Sequence, residues 1–275
     1  MHLFLGIDGG GTGCRAAVAD ASGHVLGRAE AGPANIASDP AGAAENILIA
    51  AEAALAAAGG SGIVAAGMGL AGANAAGAAD HLRTILPYRR MAVVTDAITA
   101  VKGALGTTDG VVAALGTGSV FAVQHHGKLR QIGGRGLVLG DEASGAWIGR
   151  AVLSACLHAM DGFRDQTPLL AALTHELGGP DGIVAFSLRA RPADFAAYAP
   201  RVVDSTDPAA QALMAQATAH VARAISSLMG DTSLPVVFLG GLGPAFAARL
   251  ADRLTVQPPR GTALDGALLL AREAA

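Results

Sequence analysis

A chain of 275 residues is long for one compact core and comfortable for two lobes, and a composition that is 52% hydrophobic but only 4% aromatic suits closely packed helices lying on sheets. A formal net charge of -3 with no basic run at either end excludes a polyanionic partner such as nucleic acid. No apolar run is long enough to cross a bilayer, and the two cysteines, Cys14 and Cys156, have no metal-ligand spacing, so a reducing cytoplasm is the expected setting.

In chain order, residues 1–7 are apolar but reach Asp8 too soon for a signal peptide and have no cationic lead. Residues 3–7 read as a strand, Asp8-Gly9-Gly10-Gly11-Thr12-Gly13 as a turn and 15–19 as a returning strand, after which residues 20–23 turn into Val25. A helical pattern over 41–58, a buried strand over 62–70, a helix near 76–86 and a strand over 91–95 follow. The opening pattern then returns. Residues 111–115 read as a strand, Gly116-Thr117-Gly118-Ser119 as its turn, 120–124 as the return, and His125-His126-Gly127 leads into 128–132. Helices near 145–160, 167–177 and 207–229, a strand over 234–239 and helices from Pro244 and Leu264 complete the pattern. Two copies of a strand, glycine turn and strand imply two related α/β lobes, assigned as 1–98 plus 262–275 and 99–261.

The two turns put small residues where backbone amides can surround phosphate oxygens. Gly9, Gly10, Gly11 and Thr12 would do so in the first, with Asp8 at the strand end to hold Mg2+ through water. Gly116, Thr117, Gly118 and Ser119 would do so in the second. Taken singly, each also reads as a glycine-rich hairpin turn. As a repeated pair they favour a nucleotide gripped between lobes. The P-loop pattern is absent, since Gly127-Lys128 is followed by Leu129, and Gly241-Leu242-Gly243-Pro244-Ala245-Phe246 has Phe where a dinucleotide motif needs its third glycine. Gly240 and Gly241, between a strand and a helix that opens with Pro244, would let an adenosine lie on backbone, or simply form a strand-to-helix loop.

With these turns in this order, the sequence resembles the actin, heat-shock chaperone and sugar kinase superfamily. More narrowly it resembles the glucosamine kinase and N-acetylglucosamine kinase group filed with the BadF/BadG/BcrA/BcrD ATPases. The resemblance runs nearly end to end, through Gly6-Ile7-Asp8-Gly9-Gly10-Gly11-Thr12, Gly32-Pro33-Ala34-Asn35-Ile36, Thr95-Asp96-Ala97, Gly116-Thr117-Gly118-Ser119, Gly133-Gly134-Arg135-Gly136, Gly140-Asp141-Glu142-Ala143-Ser144-Gly145 and Leu264-Asp265-Gly266-Ala267-Leu268. It implies two actin-like, ribonuclease H-like lobes, a nucleotide and sugar cleft, ATP with Mg2+, and a small sugar as the partner. A homodimer is left open.

Phosphoryl transfer to a sugar hydroxyl needs positioning, charge neutralisation and a group to take the proton. Asp96 follows a sheet strand at its carboxyl end, where it suits a general base or an N-cap of the next helix, and the resemblance favours the base. Asn35 suits a hydroxyl reader or a turn former, and Asp141 a hydroxyl reader or a helix cap; both match sugar-contact positions of the family. Beside Gly134, Arg135 stands where N-acetylglucosamine kinases carry Trp and bacterial glucosamine kinases Arg, which points to D-glucosamine although a guanidinium beside its ammonium would repel it. N-acetylglucosamine or another hexose is the alternative acceptor. An iron-sulfur activator ATPase is disfavoured by where the cysteines fall, and an inactive sugar-sensing regulator by the intact Asp96 and by a chain that opens on the phosphate strand. His125 and His126, in a hairpin turn, read as solvated, and Trp147 as core.

Overall fold

A computed structural model of the chain describes residues 2–60 and 62–275; Met1, part of the apolar start and of the expected first lobe, lies outside them. The chain opens with β1 (Leu3–Gly9), β2 (Cys14–Ala19) and β3 (Val25–Ala31), an antiparallel meander whose buried side chains are mostly aliphatic. α1 (Pro40–Ala57) starts where the Asp39 carboxylate accepts the N–H of Gly42, with Pro40 preset for the first helical position. It buries Ala43, Ile47, Ala50 and Ala54, spaced to form one stripe against the meander. Then come β4 (Ile63–Leu70), α2 (Ala78–Ile85), β5 (Met91–Val94) and α3 (Asp96–Leu105). β4 pairs parallel to β1 and β5 parallel to β4, giving the sheet order β3-β2-β1-β4-β5.

The second meander repeats the first: β6 (Gly110–Leu115), β7 (Ser119–His125) and β8 (Lys128–Gly133). Six helices follow: α4 (Gly145–Met160), α5 (Pro168–Glu176), α6 (Pro180–Ser187), α7 (Pro192–Ala196), α8 (Ala199–Val203) and α9 (Pro208–Met229). β9 (Val236–Leu239) then adds parallel to β6, so this sheet has the order β8-β7-β6-β9. After α10 (Gly243–Leu250), a single parallel bridge from Val256 to Val236 stands where the first sheet has its fifth strand. The sequence pattern does not predict α6, α7 and α8 and sets no bounds for β3 and α3; the elements it does bound agree to within a few residues.

The last helix, α11 (Ala263–Glu273), returns to the first sheet and packs on β1, β4 and α3. Glycines make this possible: a methyl group on Gly103 would stand 1.8 Å from the Thr262 carbonyl, and one on Gly266 2.0 Å from that of Thr99. Helix backbones so close bind α3 to this sheet. The chain therefore divides after α3 and not at its start, into one unit of Met1–Thr108 with Pro258–Ala275 and another of Asp109–Gln257, in place of the expected division at 98/99 and 261/262. Each unit has its own aliphatic core. Among the described residues, no helix is long and apolar enough to cross a membrane.

Candidate active site

In the first unit, the parallel strands β1, β4 and β5 end on one edge, where ligand crevices form in sheets of this kind. The turn after β1 is stitched to its neighbours by backbone: Ala34 N–H donates to the Gly10 carbonyl at 2.8 Å, Ala71 N–H to that of Gly9 at 2.8 Å, and Ile36 N–H to that of Ala71 at 3.0 Å. These bonds bring the Asn35 segment to the same edge as Asp8. The three glycines of the turn differ in what requires them. A side chain on Gly9 would strike Leu70 and Ala34, so packing fixes it, whereas Gly10 and Gly11 face open space, and Thr12 is exposed.

Asp8 is directly opposite Arg15 in the β1–β2 register, and its Oδ2 accepts from the guanidinium at 2.6 Å. Its carboxylate is largely covered, at 11% exposure, while Arg15 reaches into solvent. Burial pushes the Asp8 carboxyl above its ordinary range; Arg15 pulls it down without cancelling that effect, and the charge of Asp96 adds to the rise. The carboxylates ending β1 and following β5 thus sense one another. Burial, with Asp8 nearby, also pushes the Cys14 thiol up to about 12, so it stays protonated and inert.

Asp96 is exposed as the first residue of α3, and its Oδ1 accepts from the Ala97 N–H at 2.9 Å. The N-cap position belongs to Thr95, whose hydroxyl makes no capping bond and is buried without a partner among the described residues. Asn35 shapes its turn, its Oδ1 accepting from Ala37 and Ser38 at 3.0 and 3.2 Å, and its Nδ2 makes no bond among the described residues. Gly72, in the left-handed region at φ 83°, leaves the room that this amide occupies.

The second unit gathers its own set at the ends of β6 and β9. Gly145 and Ala146 N–H donate to the Gly116 and Thr117 carbonyls at 2.7 and 3.2 Å, which fastens the turn to the start of α4. The Ser119 hydroxyl donates to the Glu142 carbonyl at 2.8 Å, and Gly134 N–H to the Ser119 carbonyl at 2.9 Å. The Asp141 carboxylate lies over Gly118, where a methyl group would stand 2.8 Å from Oδ2, and its Oδ1 accepts from Gly136 N–H at 3.1 Å. It does not cap α4. That role belongs to Ser144, which accepts from Trp147 N–H. Asp141 and Ala143 both hold positive φ, at 56° and 65°, a cost that non-glycine residues tend to bear at functional sites. The Leu242 N–H donates to the Leu115 carbonyl, bringing the 240–243 loop to the 116–119 turn, with Gly241 facing open space.

The sequence profile of the BadF/BadG/BcrA/BcrD ATPase family matches residues 5–254. The chain belongs to this family. Membership makes it an ATP-using enzyme, and the relatives it matches include sugar kinases. The chain is 30% identical to the glucosamine kinase GspK of Vibrio cholerae serotype O1, over 98% of this chain and 96% of that protein. A crystal structure of a provisionally assigned N-acetylglucosamine kinase from Chromobacterium violaceum is 34% identical, with a TM-score of 0.84 over 98% of this chain and 99% of that one. The fold is also that of a ROK family glucokinase from Streptomyces griseus in complex with glucose and AMPPNP, at 19% identity and a TM-score of 0.58 over 99% of both chains.

Within this family member, sequence reasoning missed Arg15, Thr95 and Gly72. Arg15 was within reach, because a turn over residues 10–13 fixes Cys14 opposite Gly9 and so Arg15 opposite Asp8. Arg135 is exposed and makes no ion pair among the described residues; in particular Glu142 does not neutralise it. It lines the rim of a cavity of about 790 Å³ whose walls are chiefly aliphatic, including Leu137, Leu153, Leu157 and Ile183. Such walls leave the hydroxyls of a hexose largely unpaired, so this cavity does not match a sugar site.

Proposed function

We propose that the chain transfers the γ-phosphoryl group of ATP to a hydroxyl of an amino sugar, D-glucosamine, giving glucosamine 6-phosphate. The observation that carries this reading is the first unit's edge: a carboxylate before an open glycine turn, and a second, exposed carboxylate near enough to raise the pKa of the first. Asp96 takes the proton of the attacking hydroxyl as the new O–P bond forms and the bond from the γ-phosphorus to the bridging oxygen breaks, leaving ADP. In the first unit, Gly11 and Thr12 offer donors to phosphate oxygens; the Gly10 N–H closes the turn on the Gly13 carbonyl at 2.9 Å, and Gly9 supports them from within the sheet. Thr117 and Gly118 do the same in the second, where the Gly116 N–H and the Ser119 hydroxyl brace the turn through the Gly118 and Glu142 carbonyls; Gly241 leaves room for the adenosine, and Gly240 lets its loop close on Leu115.

The donor set at Asp8 fits a hydrated Mg2+, since Arg15 occupies Oδ2 and leaves Oδ1 for water ligands. When bound, Mg2+ would neutralise phosphate charge. The residues would orient the acceptor through directional bonds: Asn35 donates with its free Nδ2, Asp141 accepts, and Gly134 and Arg135 shape the loop beside it. A cytoplasmic setting accords with a pool of ATP and free sugar.

N-acetylglucosamine is the second reading, favoured by the 34% identity to the Chromobacterium violaceum protein. The test is Mg2+-dependent ADP release with glucosamine, N-acetylglucosamine, glucose and no sugar at equal concentration. Glucosamine is expected to give the fastest release. A preference for N-acetylglucosamine overturns the choice of acceptor, and no stimulation by any sugar overturns the kinase reading. Asp96→Asn is expected to fold and bind nucleotide yet lose about 100-fold or more of the turnover, the scale of positioned acid–base catalysis. Near-normal turnover would remove Asp96 from the role of base.

A further inference from the structure

Asp109, His125 and His126 stand apart from this machinery, at the point where the chain enters the second unit. We propose that they form a binding site for a borderline divalent transition-metal ion such as Zn2+. Adjacent residues of a strand point to opposite faces, so two consecutive histidines are ordinarily kept apart. Here the left-handed backbone of His126, at φ 49°, followed by Gly127, turns its ring back toward that of His125, and the ring centroids are 4.0 Å apart. Asp109 immediately precedes β6 and faces this hairpin tip.

The carboxylate is already oriented. The His126 backbone N–H donates to its Oδ1 at 2.9 Å, which leaves Oδ2 facing both rings, 2.9 Å from His125 Nδ1 and 3.7 Å from His126 Nδ1. Tetrahedral zinc with bonds of about 2.0–2.1 Å sets its ligand atoms roughly 3.3 Å apart, and the two observed separations bracket that value. One ligand atom from each of the three residues lies within 4.8 Å of the others. Small rotations of two rings that are 38% and 80% exposed would close the site, with water filling the remaining positions. The two imidazoles select a borderline d-block ion over Mg2+, which prefers oxygen and retains its water. The second, backbone-held carboxylate oxygen supplies the outer bond that such ligands usually require.

A bound ion would tie the entry residue of the second unit to the β7–β8 hairpin, and this inference does not depend on the kinase reading. The test titrates the full-length chain, free of any purification tag, with Zn2+ by calorimetry and with Co2+ by visible absorption, in millimolar Mg2+. One equivalent of Zn2+ is expected per chain, with Co2+ giving the intense bands of low coordination number and a rise in Tm. His126→Asn keeps a residue that tolerates the left-handed turn and should weaken binding at least about tenfold, as should Asp109→Asn. His24→Asn, outside the cluster, should leave it unchanged. Absence of saturable uptake overturns the site, as does undiminished uptake by a His125→Gln/His126→Asn double variant whose metal-free Tm matches the parent chain. Should the double variant not fold, undiminished uptake by His126→Asn alone decides against it.

Discussion

In the proposed Mg2+ site, Asp8 would pull stability and function in opposite directions. Burial disfavours its charge more than Arg15 restores it, so its carboxyl binds a proton more tightly folded than unfolded. Stability from such a group is present below the unfolded value of about 3.9 and is lost as pH rises through the higher native value. Asp8→Asn is therefore expected to raise the stability of the ligand-free chain at pH 7 by on the order of 1 kcal/mol, the gain shrinking toward zero near pH 4. Thermal melts at both pH values check this, and the variant should lose the stabilisation that MgATP gives the parent chain. A lower Tm at pH 7 would show that the Arg15 pair outweighs burial. At this scale the sequence exposed the polar candidates but not their surroundings. The Asp8–Gly13 motif could be read directly, yet the difference between a packed Gly9 and an open Gly10 depends on Leu70 and Ala34, which reach the turn from distant segments. Similarly, that Asp141 does not cap α4 became visible only with Ser144 seated in the cap position.

Among the elements, hydrophobic periodicity located the strands other than β3, of which only the turn into Val25 was read, and the long helices, because burial on one face leaves a regular pattern. α6 spans eight residues and α7 and α8 five each, and the two five-residue helices are too short for a helical period to show. The prolines that start them, Pro180, Pro192 and Pro200, were the available signals. The long α9 illustrates how a cap can serve two helices. The Asp207 carboxylate accepts from Ala209 N–H at its own helix and, at 2.9 Å, from Leu169 N–H at the start of α5. Burial works to raise its pKa, and the bonds from Leu169, Thr167, Ala209 and Ala210 together lower it. A lowered carboxyl stabilises above its unfolded pKa, and that contribution disappears as pH falls through the native value. Asp207→Ala is expected to cost about 1–2 kcal/mol in urea unfolding at pH 7, with the deficit fading in acid as the parent carboxylate protonates.

For the whole molecule, one plan is used twice, a meander followed by a parallel crossover, which is why a repeat in the sequence could reveal two lobes. What the repeat did not reveal was where one unit stops. That boundary is set by the contact of α11 with α3 through Gly103 and Gly266, invisible as a local pattern. Removing residues 263–275 is expected to uncover β1 and β4 and to leave the first unit without a cooperative thermal transition. Differential scanning calorimetry of the shortened chain should then retain at most the transition of the second unit; an intact profile would show that α11 is dispensable.

The return of α11 also fixes an order of events during synthesis. The second unit lies within one uninterrupted stretch of chain, whereas the first is made from two stretches separated by all of it. On the ribosome, residues 109–257 can reach their final form as soon as they emerge, while the earliest-made strands must wait for the residues translated after them. The stretch made before the second unit is finished after it, and until then its sheet carries an uncovered apolar face that chaperones would meet.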